Sequence, residues 1–267
     1  MTPESDGGTV VDDGAVDERS SSPQTTVTVL RAALTELRRD PRLLGPFAVA
    51  GFLVALADWL RQWDPIPVAT PNWMVETVSL QYSVFPRGTA RTGRRIGAVV
   101  DLELPYLLGV VALETAVLLA IGAAGWLTMT RALDGQRDRG SLARYLAVLV
   151  TVTVVLGVFG PAEFSPGSVP LGLLVVFAIS FVVVSLFPFP GYLAVGLGVP
   201  AALRASVATA RGQRFRLFGL VLAFGLAVWG LALVPVAGGF LSTALVAPVQ
   251  AVSIAVLLRQ SGPVSAE

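Results

Sequence analysis

Apolar residues in this chain run in long blocks. Phe164 to Leu203 and Leu217 to Leu258 carry no acidic or basic side chain, and each exceeds the roughly 20 apolar residues that cross a bilayer as a helix. Cut at proline- and glycine-containing breaks, the blocks predict six spans, at about 43–60, 104–130, 145–160, 169–187, 217–234 and 239–258. The fourth should stop at Pro188 and Pro190, which remove backbone donors and clash with the preceding turn. The PVAGG sequence at 235–239 divides the last two.

Two shorter segments follow a different rhythm. From Val27 to Arg39, Val27, Leu30, Leu34 and Leu37 recur at helical spacing while Arg31, Glu36 and Arg38 fall elsewhere, which predicts an amphipathic helix ended by Pro41. In the second, Pro200 opens a helix on which Leu203, Val207 and Ala210 share a face. LRAALTELRR from Leu30 aligns with LRASVATARG from Leu203. Duplication would produce this pairing, and so would chance in Ala/Val/Leu-rich sequence.

Between the first two spans, 61–103 is expected as an external loop below an interface belt of Trp59 and Trp63. Thr77 to Phe85 is rich in strand formers, and Ile96 to Leu102 could pair with it as a hairpin; an irregular loop is the alternative. Residues 1–26 are acidic and poor in apolar side chains, predicting a disordered tail, and 261–267 forms a short C-terminal tail. No cleavable signal sequence is expected at the acidic start.

Composition agrees with a bilayer as solvent. The chain is 54% hydrophobic and 14% charged, against roughly 25% charged residues in soluble domains. The fold expected is therefore all-α, a membrane bundle of about six spans with two interfacial amphipathic helices. Cysteine and histidine are absent and every one of the 19 basic residues is arginine. That excludes thiolate and imidazole chemistry and a lysine-bearing phosphate loop. We expect no enzyme, cofactor or metal, and as partners the lipid bilayer and other membrane proteins but no nucleic acid. Across six spans, and leaving aside Arg19 in the tail, 13 arginines fall on the side of the termini and five on the other, which predicts cytoplasmic termini in the cell membrane.

Glu114 is the one charge inside the second span, where it costs roughly 2.5 to 3.5 kcal/mol unless neutral or partnered. Gln250 lies at similar expected depth, and Pro248 frees the carbonyl of Ala244 beside it. Together they suggest either a midplane ion site or a neutral bond gluing two helices. Asp58 is expected to reach water at its span's outer end. Gly122, Gly125, Gly219, Gly225 and Gly230 suit close helix packing. Gly196 and Gly198 follow no strand, so they make no nucleotide loop. Arg204, Arg211, Arg214 and Arg216 could meet anionic lipid head groups or serve as ordinary positive-inside anchors.

LFPFPGYLAVGLGVPAALRASVATARGQRFRLFG, followed by a span ending in VPVAGG and a final helix, resembles the C-terminal half of archaeal, particularly haloarchaeal, integral membrane proteins. These are distantly similar to the membrane domain attached to some glycerophosphodiester phosphodiesterases. The resemblance covers about 185–260, including Ser206 on the amphipathic helix, and implies architecture only, since no phosphodiesterase domain accompanies it. Two functions remain in view: a non-catalytic scaffold or accessory subunit, and a small transporter using Glu114 and Gln250.

Overall fold

The computed structural model describes residues 25–63, 78–80, 83–88, 102–159, 162–164 and 169–261. Most of the acidic tail, Arg91, Arg94 and Arg95, the arm 96–101 of the expected hairpin and the tail 262–267 lie outside them.

Helix α1 (Thr26–Arg39) ends where Asp40 turns out of helical geometry, and the Asp40 side chain accepts the Arg42 N–H as Pro41–Leu43 forms a 3-10 turn. Then follow α2 (Gly45–Trp63), strand β1 (Val78–Leu80), α3 (Leu104–Ala132), α4 (Arg139–Phe159), strand β2 (Ala162–Phe164) and α5 (Val169–Leu186). After the Pro188 break come α6 (Phe189–Ala194), α7 (Val199–Arg211), α8 (Arg214–Ala232), α9 (Gly238–Leu241), a π-helical segment Ser242–Val246, and α10 (Ala247–Gln260).

Six stretches are long and apolar enough to cross a membrane: Pro41–Trp63, Leu104–Ala132, Arg139–Gly157, Phe177–Ala194, Arg214–Leu231 and Gly238–Gln260. The protein is thus an all-α multi-pass bundle with α1 and α7 as short amphipathic additions. The strands β1 and β2 are three-residue stubs paired antiparallel, Val78 opposite Phe164. Val78–Leu80 thus has a partner from beyond α4, and the expected pairing with 96–102 lies outside the described residues.

The last span is the axis of the molecule. Every residue from Ala247 to Leu258 except Val249 is buried, and α10 packs against α1, α3 and α6 while α2 covers the π segment. Lipid supplies no hydrophobic drive between helices, so small residues and tight contacts hold them. A Cβ on Gly191 would lie 2.6 Å from Ile254 Cγ2, and one on Gly122 2.5 Å from Leu149 Cδ2. Gly219 packs on Thr26, but Gly225 and Gly230 face open space, so the expected packing role fails for these two.

Each amphipathic helix buries only part of the apolar stripe that its spacing predicts. In α1, Val29, Ala33 and Leu37 are buried while Val27 and Leu34 are exposed. In α7 the buried set is Ala202, Ser206 and Ala210, and Leu203 is exposed. Ala33, Ala202, Ser206 and Ala210 permit close approach to neighbouring helices, while Val27, Leu34 and Leu203 face outward. Aligned Leu30 to Leu203, the two buried triplets coincide position for position, so the weak repeat extends to how each helix is docked.

α1 is tied at three points. Thr26 Oγ1 donates to the Arg216 carbonyl (3.1 Å), Arg259 pairs with Glu36, and Arg131 Nε meets Asp40 Oδ2 at 2.7 Å. It thereby joins the ends of α3, α8 and α10.

Candidate functional site

Three places could carry function: a charge cluster between α2 and α3, the polar side chains of the last span, and the outward face of α7.

The charge cluster arises because α2 continues as a helix through Trp63. Arg61, expected in the loop, therefore falls three residues after Asp58 on the same helix face. Its Nη1 donates to Asp58 Oδ1 (2.8 Å), while Nε and Nη2 bind the two oxygens of Glu114 at 3.0 and 2.7 Å. A bidentate guanidinium–carboxylate fork is among the stronger polar contacts available. Arg61 and Asp58 are buried, at 3% and 7% exposure. Asp58 is thus not a water-facing interface residue. Glu114 is claimed by Arg61, so the expected Glu114–Gln250 pair does not form.

Gln250 is buried and its Nε2 donates to nothing, as is true of the hydroxyls of Thr243 and Ser253. The three occur along the last span at intervals of seven and three residues, which keeps them near one face of the helix. Above Gln250 the ladder changes register. Pro248 has no N–H to give Ala244, and Ser242–Val246 winds as a π-helix, a form often found at functional sites.

Against this interrupted helix lies the least legible part of the chain. The connection leaves α2 at Trp63 and rejoins at Leu104, but Phe85 does not stay at that end. It is 3% exposed and packs edge-on to Tyr145 (5.3 Å between centroids) and Phe189 (6.4 Å). Tyr145 in turn meets Gly125, whose Cβ would lie 2.9 Å from the phenol oxygen. Gly125 is 21 residues along α3 from Leu104, about 30 Å at 1.5 Å per residue. Ser83–Gly88 therefore enters the body of the bundle, which corrects the expected external loop for this stretch.

Gly88 sits so close to the π segment that a Cβ would fall 2.4 Å from both Thr243 N and Oγ1. Non-helical backbone within a membrane bundle is tolerated where protein covers it, and here Phe85 and Pro86 are buried while the rest of the segment is half-buried. Gly88→Ala should force this contact apart and cost roughly 1–3 kcal/mol, the usual penalty of overpacking. A thermal unfolding series in detergent checks it, with Gly45→Ala, whose Cβ would meet nothing within 4 Å, as the control that stays near wild type. Beside Gly88, Arg87 is half-buried.

On α7, Arg204 and Arg211 are exposed and flank Leu203, Val207 and Ala208 along a groove of about 410 Å³. The other two expected head-group arginines differ. Arg214 lies over the Phe181 ring at 4.8 Å. Arg216 is half-buried and hydrogen-bonds to the side-chain oxygens of Gln213 and Gln260. Arg144 of α4 donates to the carbonyls of Gly196 (2.6 Å) and Leu197 (3.1 Å), fixing the turn into α7. Gly196 has a φ of 97° there, a backbone region open chiefly to glycine.

Among the described residues, no three or more His, Cys, Asp or Glu side chains gather as metal ligands. No protein-family model, curated protein or solved structure matches the chain. Residue roles therefore rest on the geometry above.

Proposed function

We propose that this chain is a non-catalytic multi-pass scaffold or accessory subunit of the cell membrane, with both termini in the cytoplasm and lipid or a membrane protein as its partner. The observation that carries this reading is the bidentate Arg61–Glu114 pair. It makes the one carboxylate expected to serve an ion into a clamp between α2 and α3. The arginine balance between the two sides supports the orientation.

The test is ion flux in vesicles carrying the purified protein, driven by a membrane potential or a pH gradient. The scaffold reading expects flux no greater than in protein-free vesicles. Flux that disappears in Glu114→Gln, with the variant still folded, contradicts it.

A second reading has its own support. The unpartnered Thr243, Gln250 and Ser253 on an interrupted helix resemble the arrangement by which transporters hold a solute. A solute that raises the unfolding temperature of wild type but not of Gln250→Leu would favour a small permease.

A further inference from the structure

We infer that the outward face of α7 binds one anionic phospholipid, with its phosphate on Arg204 and Arg211 and an acyl chain along Leu203, Val207 and Ala208. This goes beyond the scaffold reading and stands independently of it, since a permease could carry the same site.

The argument starts in the sequence. Between Glu163 and Glu267 there is no acidic residue, so the arginines of this region have no local carboxylate. Neither Arg204 nor Arg211 makes an ion pair among the described residues; Arg204 only folds back to the Pro200 carbonyl, at 3.4 Å. Two exposed, unpaired guanidiniums seven residues apart stand about 10 Å from one another along one helix face. A guanidinium fork matches phosphate geometry.

The space between them is not a polar cleft. It is the groove of about 410 Å³ walled by Leu203, Val207 and Ala208. Free inorganic phosphate gains nothing from such walls, whereas a phospholipid fills both parts. The opposite face of α7 is committed to the bundle: Ser206 Oγ donates to the Ser185 carbonyl (2.8 Å), and Thr209 Oγ1 and Tyr192 OH lie 2.6 Å apart. That docking holds the groove outward in a fixed orientation. α7 also leads directly into a candidate span, and exposed Phe215 at the start of α8 suits the interfacial zone where head groups lie.

The experiment is native mass spectrometry of the full chain extracted from vesicles of equal phosphatidylglycerol and phosphatidylcholine. One tightly retained phosphatidylglycerol per chain is expected. Arg204→Gln/Arg211→Gln should weaken retention about 30-fold, taking roughly 1 kcal/mol per basic residue near the surface. Ala208→Trp keeps both charges but fills the groove, and should lose the lipid to a similar degree with its unfolding temperature in neutral lipid unchanged. Arg137→Gln/Arg139→Gln, exposed elsewhere, should retain it. Equal retention of phosphatidylcholine, wild-type retention in both site variants, or displacement by inorganic phosphate alone would each overturn the proposal.

Discussion

Phe85→Ala is expected to lower stability by about 3–5 kcal/mol, the usual cost of emptying an aromatic site in a packed interior. Phe85 touches two aromatic rings from different helices, Tyr145 of α4 and Phe189 of α6. Its loss removes both edge-to-face contacts and leaves a cavity beside Tyr145 and Phe189. Unfolding in mixed micelles would show the effect, with Phe215→Ala as the comparison, since Phe215 is 95% exposed and should change little. A near-neutral Phe85→Ala would mean that Ser83–Gly88 contributes nothing to the folded bundle.

Arg61→Met should be similarly damaging, at about 3–5 kcal/mol, because it removes the buried guanidinium that bridges Asp58 and Glu114. The asymmetry between partners is the informative part. The Glu114 side chain is 42% exposed in its ion pair, so Glu114→Gln should cost only about 1 kcal/mol, near the net value of a hydrogen bond. Chemical or thermal unfolding of the two variants side by side checks this. If Glu114→Gln is the worse of the two, the carboxylate has a role beyond clamping α2 to α3.

Much of the architecture could be read from hydrophobicity because a bilayer imposes it. The span from 104 was placed to within two residues of α3, and Pro41 ended α1 where its geometry requires. Apolar length is a one-dimensional property, so a sequence displays it directly. The spacing marks both amphipathic helices but not the offset of the stripe that each one buries. Soluble-protein logic sends leucines inward, whereas beside lipid the small residues pack and Leu203 looks out.

The site was less legible for a related reason. Glu114 stood out as a charge within an apolar block, but its partner was assigned to Gln250 by counting residues from presumed helix ends. Arg61 falls just past the apolar stretch that ends at residue 60, so hydrophobicity alone places it in the loop. The i, i+3 spacing of Asp58 and Arg61 was the available clue. For Phe85 and Gly88 no periodic signal exists: a six-residue SVFPRG segment has neither the length nor the alternation that marks an element, and its burial is decided by distant helices.

The account turns on whether this segment fills the bundle, since a filled interior leaves the α7 face and the α2–α3 clamp as the working parts. The chain has no cysteine, so a single-cysteine variant, Phe85→Cys, can be labelled with a membrane-impermeant maleimide in sealed vesicles and again after permeabilisation. Arg137→Cys, on the exposed turn between α3 and α4, is the reactive control. Burial predicts that the cysteine at 85 stays unmodified under both conditions and reacts only after denaturation. Labelling as fast as the control in the folded protein, from either side, would contradict it.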